Sequence, residues 1–137
     1  MKIAIRYFTK SKKGNTFKLA TVVSETAGVE ALTVENDLTE EVETLFLVNA
    51  MYAFNIDKEV KEFLKRNASK IKCIINVNSA ASGASTLKSV KKAAKKLDIP
   101  VSDKEYHTVA SWINLNKGRP NEDDLNRLRE FVKGVLA

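Results

Sequence analysis

The chain has 137 residues, of which 44% are apolar and 29% charged, with a formal net charge of +6 and a single cysteine. That length suits one hydrophobic core, and the apolar content is too high for a disordered chain. Cys73 alone excludes an internal disulfide, and one cysteine with one histidine leaves little from which to build a transition-metal site.

Runs such as Leu45-Phe46-Leu47-Val48 are far too short to cross a bilayer, so one cytoplasmic domain spanning 1–137 is expected. Lys2–Phe8 (KIAIRYF), rich in β-branched and aromatic residues, reads as a buried strand that exits into a polar loop. Thr16–Ala27 carries Leu19, Ala20, Val22, Val23 and Ala27 at near-helical spacing, and Gly28 supplies the stop. Val29–Val34 is a second strand. The polar connection Glu35–Glu43 has room for one helical turn at Leu38–Val42.

Thr44–Asn49 (TLFLVN) is apolar almost throughout, the pattern of a strand covered on both faces. Asp57 caps a helix to about Asn67, with Val60, Phe63 and Leu64 on one side. Ile71–Val77 is another apolar strand, with Cys73 as a buried structural thiol, and the small residues of Asn78–Thr86 form a loop. Leu87, Val90, Ala93, Ala94 and Leu97 mark an amphipathic helix stopped by Pro100. A strand follows over Glu105–Trp112, with Trp112 packing over the sheet edge. Asn121 opens a last helix carrying Leu125, Leu128, Phe131, Val132, Val135 and Leu136.

Alternating strands and helices predict an α/β fold, a doubly wound five-stranded parallel sheet with helices on both faces. In such sheets a ligand sits outside the carboxyl ends of the strands, where the strand order reverses. The loops after Phe8, Asn49 and Val77 therefore line the expected site.

The first of those loops has the parts of a phosphate cradle at a helix N-terminus. Thr9, Ser11 and Thr16 offer hydroxyls, Gly14 allows close backbone approach, and Asn15 adds an amide. Lys12 and Lys13 would neutralise a phosphate dianion, although a solvated basic loop tip accounts for them equally well. The spacing is neither that of a Walker loop nor that of GxGxxG.

A strand ending in an aromatic, then Ser11-Lys12-Lys13-Gly14-Asn15-Thr16 and a helix with Ala20 one turn on, resembles the FMN phosphate loop of the flavodoxin family. Lys117-Gly118-Arg119-Pro120-Asn121-Glu122-Asp123-Asp124-Leu125 resembles the family's last connection, so the likeness covers essentially the whole chain. It implies a flavodoxin-like three-layer domain that binds FMN without a covalent link. Ser11, Gly14, Asn15 and Thr16 would hold the phosphate, with Thr9 and Lys13 beside them. The family usually has Ser or Thr where this chain has Lys13, and this loop is slightly longer on the strand side.

The resemblance places the flavin ring between the second and third loops. Tyr52 and Phe54 offer flat surfaces there, with packing under the next helix as the other reading of Phe54. The third loop lacks the aromatic common in the family, so Asn78, Ser79, Ser82 and Gly83 would meet the ring edge with hydroxyl, amide and backbone groups.

The positive charge is concentrated. Between Asp57 and Lys96 eleven basic residues face three acidic ones, and Lys88, Lys91, Lys92, Lys95 and Lys96 crowd one helix. Flavodoxins are typically acidic, so the resemblance implies redox partners with acidic docking surfaces and a flavin that is easier to reduce. Nucleic acid is disfavoured because no aromatic or arginine interleaves these lysines, and nothing around His107 suggests a hydrolytic triad. Three readings stay open: an FMN electron carrier, an interaction domain that has weakened or lost FMN and acts through its basic face, and a small nicotinamide-dependent flavin reductase.

Overall fold

The computed structural model describes residues 2–10, 14–111 and 116–137. In chain order its elements are β1 (Ile3–Tyr7), α1 (Asn15–Ala27), β2 (Ala31–Thr33), β3 (Thr44–Ala50), α2 (Lys58–Asn67), β4 (Ile74–Ala80), α3 (Leu87–Lys95), β5 (Val101–Val109) and α4 (Glu122–Leu136). All strand pairs are parallel, in the order β2-β1-β3-β4-β5, which is the flavodoxin-like order expected from the sequence. Successive side chains of a strand point to opposite faces. Ile5, Phe46, Val48, Ile75 and Val77 therefore meet α1 and α4 on one face, while Leu45, Leu47 and Ile74 meet α2 and α3 on the other. The order reverses between β1 and β3, so the crevice between their carboxyl ends is the switch point.

Helix ends follow the local chemistry. Gly28 takes the left-handed conformation (φ 71°) that closes α1, and Asp57 Oδ1 accepts the Glu59 N–H at 2.9 Å to open α2. At α4, Asn121 and Asp124 form a reciprocal capping box.

Four expectations need correction. The link from β2 to β3 contains no helical turn. Its Leu38 and Val42 are buried, and its carbonyls are tied by side chains from elsewhere: Arg6 Nε donates to Asn36 O (2.8 Å), Arg66 Nη2 to Val34 O (2.8 Å) and Lys70 Nζ to Leu38 O (2.8 Å). These long-range bonds satisfy backbone groups that a helical turn would have satisfied locally.

The fourth strand starts at Ile74 rather than Ile71, because Ile71 makes only an isolated bridge with Val42 before the chain breaks step at Lys72-Cys73. It runs on through Asn76, Asn78 and Ser79, whose polarity is hidden by burial and hydrogen bonding. Cys73 consequently lies half-buried in the approach to the strand. The fifth strand begins at Val101, four residues early, since an edge strand tolerates the polar Ser102-Asp103-Lys104. Trp112 lies outside the described residues.

Candidate functional site

Among the described residues α1, α2, α3 and α4 begin at the carboxyl edge of the sheet, but their first turns are not alike. α2 is capped by Asp57 and carries Glu59 in its first turn, and α4 is capped by Asn121 with Glu122, Asp123 and Asp124 beside it. α3 has no acidic residue in its first turn and no cap from the Thr86 side chain, but its Leu87 N–H donates to Ser85 Oγ at 2.9 Å. α1 has Gly14 at its N-cap, no acidic residue in its first turn, and no capping side chain among the described residues. Its N–H groups and positive dipole end therefore face the switch point with no counter-charge among the described residues of its first turn.

Asn15 is held in place there by residues distant in sequence. Its Nδ2 donates to Ser111 O (3.0 Å) and approaches Ser111 Oγ (3.3 Å), clamping the first turn of α1 to the exit of β5. Thr16 is buried and Thr9 is half-buried at the exit of β1. Ser11 and Lys13, expected at the phosphate, lie outside the described residues.

Across the crevice, the second loop makes a two-residue turn. Tyr52 and Asn55 exchange backbone bonds of 2.8 and 2.9 Å around Ala53 and Phe54, both with positive φ (49° and 66°). That is the backbone of a type I′ turn, which favours Asn-Gly, and a left-handed Ala or Phe costs about 1–2 kcal/mol. The turn leaves Phe54 90% exposed at its tip, so it does not pack under α2. Tyr52 leans back instead. It meets Phe8 edge-on, with ring centroids 6.5 Å apart, and the Lys10 ammonium lies 4.4 Å from its ring centre. Lys10 also reaches Asp57 at 3.8 Å. Burial raises the Tyr52 phenol above its ordinary value, with Asp57 adding to the shift. The structure thus joins the first and second loops through an aromatic and charged cluster to which Phe8 and Lys10, absent from the expected site, contribute.

The third loop is committed to internal bonds. Asn78, buried in β4, accepts the Thr86 N–H (3.0 Å) and donates to Ala84 O (2.9 Å). Thr86 Oγ1 donates to Asn49 Oδ1 (2.7 Å) and accepts from Asn76 Nδ2 (3.0 Å), while Asn49 Nδ2 donates to Asn76 Oδ1 (2.8 Å). These four residues form a fully buried polar network beneath α2 and α3, with no buried side-chain polar atom left unpaired among the described residues. Such a network fixes its members because each loss strands a partner. Ser79 is also buried within β4, where its carbonyl accepts from Met51 N–H at 3.1 Å.

Ser82 is exposed and its Oγ accepts the Ala84 N–H at 3.2 Å. Gly83 sits at φ 79°, where an added Cβ would lie 3.1 Å from Val109 Cγ2, and its carbonyl accepts from His107 Nδ1–H at 2.8 Å. Of the residues expected at the ring edge, Asn78 and Ser79 are therefore enclosed, and Ser82 and Gly83 alone reach the loop surface.

The last connection closes the site. Asn116 Nδ2 donates to Ala81 O at 2.7 Å, and the Ser111 N–H donates to Arg119 O at 2.8 Å. Arg119 grips the buried Asp124 carboxylate with both Nε (2.6 Å) and Nη2 (2.9 Å). Chiefly that guanidinium, helped by the Asn121 N–H, holds the Asp124 carboxyl below its ordinary range. A depressed folded value adds stability above the unfolded value of about 3.9, and that stability is lost as pH falls through the folded value. Below about pH 4 the wild-type protein should lose stability steeply, and Asp124→Asn should show a shallower acid limb in denaturation followed by circular dichroism. Equal acid limbs would remove Asp124 from this role.

No protein-family model matches the sequence, and no curated protein does. The likeness lies in three dimensions. A flavodoxin from the domain Archaea superposes with a TM-score of 0.76 at 11% identity, over 98% of this chain and 96% of its own. A short-chain flavodoxin associated with a bacterial microcompartment gives 0.72 at 16% identity, over 99% and 97%. Flavodoxin 2 from Bacillus cereus, in its oxidised form, gives 0.70 at 11% identity, over 99% and 98%. The chain therefore has a flavodoxin-like fold along nearly its whole length.

Proposed function

We propose that the protein binds FMN non-covalently and carries electrons between partner proteins, with the FMN phosphate at the N-terminus of α1. The observation that carries this reading is the first turn of α1 at the switch point, which among the described residues has neither a side-chain cap nor an acidic residue, whereas α2 and α4 have both. Gly14 would let the phosphate approach the backbone, and Asn15, steadied by Ser111, would donate to it beside Thr16. Ser11 and Lys13 belong to the same proposed cradle, and Thr9 flanks it. Bound there, FMN would supply the redox chemistry by taking up and releasing electrons. Tyr52, Lys10 and Asp57 would set the polarity of the crevice above it, and the basic surface would favour acidic redox partners.

A second reading, a flavodoxin-like interaction domain with weakened FMN binding, is favoured by one specific observation. The Lys10 ammonium occupies a face of the Tyr52 ring, so a flavin stacked on that face must displace it.

Titration of the purified protein with FMN, followed in the visible spectrum, separates the two. The carrier reading expects a perturbed flavin spectrum with a dissociation constant on the order of 1 μM or tighter. No perturbation at about 1 mM FMN would overturn it in favour of the interaction domain.

A further inference from the structure

α2 and α3 lie on the same face of the sheet, and an open groove of about 470 Å³ runs between them. Lys58, Lys61 and Lys65 line one wall at the i, i+3, i+7 spacing of a single helix face, and Lys92 and Lys96 line the other one turn apart. Glu62, the one carboxylate among the lining residues, lies 3.6 Å from Lys65, whereas Lys58, Lys61, Lys92 and Lys96 have no carboxylate partner among the described residues. Like charges one turn apart repel, so both helices carry a small standing cost that an anionic occupant would relieve. The floor is different in kind. Ala93 and Leu97 are half-buried there, their inner sides packed on the core beneath.

At the rim stands Phe54, an aromatic side chain almost wholly in water on a turn whose backbone is strained to present it. An exposed anchor held by strained backbone is the kind of outlier from which a binding role follows, and aromatic side chains dominate the energetics of interfaces.

From this arrangement we infer that the groove docks an acidic amphipathic helix of a partner protein. Its carboxylates meet the two lysine rows, its apolar side rests on Ala93 and Leu97, and Phe54 packs against its end. Charged walls over an apolar floor match the two sides of an amphipathic helix, and because α2 is ten residues long, about 15 Å, a short helix spans the groove. Single-stranded nucleic acid fits less well, because the groove offers one aromatic at its rim, no arginine, and an apolar floor rather than a run of stacking surfaces. The inference does not depend on bound flavin.

The test uses a fluorescein-labelled helical peptide of about 15 residues, glutamates on one side and leucines on the other, read by anisotropy against the full chain. The double reversal Lys61→Glu with Lys92→Glu should weaken binding about 10-fold or more, and Phe54→Ala about 3-fold or more. Reversing two lysines elsewhere, Lys104→Glu with Lys133→Glu, makes the same change in net charge and should weaken it less than about 3-fold. Amide shifts of the wild-type protein on adding the peptide should map to α2, α3 and Phe54, which needs no variant to fold. Equal losses in the two double variants, no binding at about 1 mM peptide, or tighter binding of a single-stranded oligonucleotide of similar length would each overturn the inference.

Discussion

Replacing Gly14 with aspartate is expected to raise the stability of the flavin-free protein while lowering its affinity for FMN about 100-fold. The two effects have one cause. Gly14 is the N-cap of α1 with φ −81° and ψ −168°, an extended conformation open to any residue. An aspartate there can accept the N–H of Thr16 or Phe17 and place its charge at the positive end of the helix, together worth about 1 kcal/mol. The same carboxylate occupies and neutralises the position proposed for the phosphate, and a loss of about 2.7 kcal/mol corresponds to the 100-fold change. Riboflavin has the ring without the phosphate, so its weaker binding should shift by less than about 3-fold. Thermal melting and flavin fluorescence titrations measure all three quantities. Equal losses for FMN and riboflavin would place the aspartate's effect on the ring site and contradict the assignment.

The second large effect is expected at Thr86. Thr86→Val keeps the shape but removes a hydroxyl that donates to Asn49 and accepts from Asn76 in fully buried surroundings. Asn49 Oδ1 then loses that donor, and Asn76 Nδ2 keeps only its longer contact with Asn78, at 3.3 Å. Stranding buried amides costs about 1–3 kcal/mol each, so a loss of about 3 kcal/mol is expected in urea denaturation. Because Thr86 is also the N-cap of α3 and donates its own N–H to Asn78 Oδ1, the third loop should loosen with it. Faster amide exchange at Ala84 and Thr86 would show this. A variant as stable as wild type would mean that the network does not hold the loop.

Much of this was legible in the sequence. The unbroken apolar runs through Leu45–Val48 and Ile74–Ile75 announced a sheet covered on both faces, and Gly28, Asp57 and Asn121 marked helix ends where the structure has them. The doubly wound parallel sheet followed from alternation and handedness, and its flavodoxin-like form from the resemblance carried by the first loop. What escaped was polarity inside the sheet. Asn78 looks like the end of a strand when read along the chain, but Asn76 and Asn78 are two residues apart and so share the face on which Asn49 also lies. That spacing was the available signal, and its meaning depended on Thr86 arriving from the next loop.

Long-range ties escaped for the same reason. Asn15 meets Ser111 across 96 positions, and Lys10 meets Tyr52 only because β1 and β3 are neighbours. The lysines of 57–96 were evident as a basic cluster, yet only the packing of α2 beside α3 turned them into facing walls. Residues such as Phe8 and Phe54 carry no local signal that separates a core aromatic from an exposed one.

The phosphate position can be read directly from the backbone amides of the ¹⁵N-labelled protein during titration with FMN. The account predicts that the largest phosphate-dependent shifts, those seen with FMN and absent with riboflavin, fall on Gly14, Asn15, Thr16 and Phe17. Shifts confined to the lysine-lined groove, at Lys58, Lys61, Lys92 and Lys96, would show the phosphate bound there and contradict a cradle at the first helix.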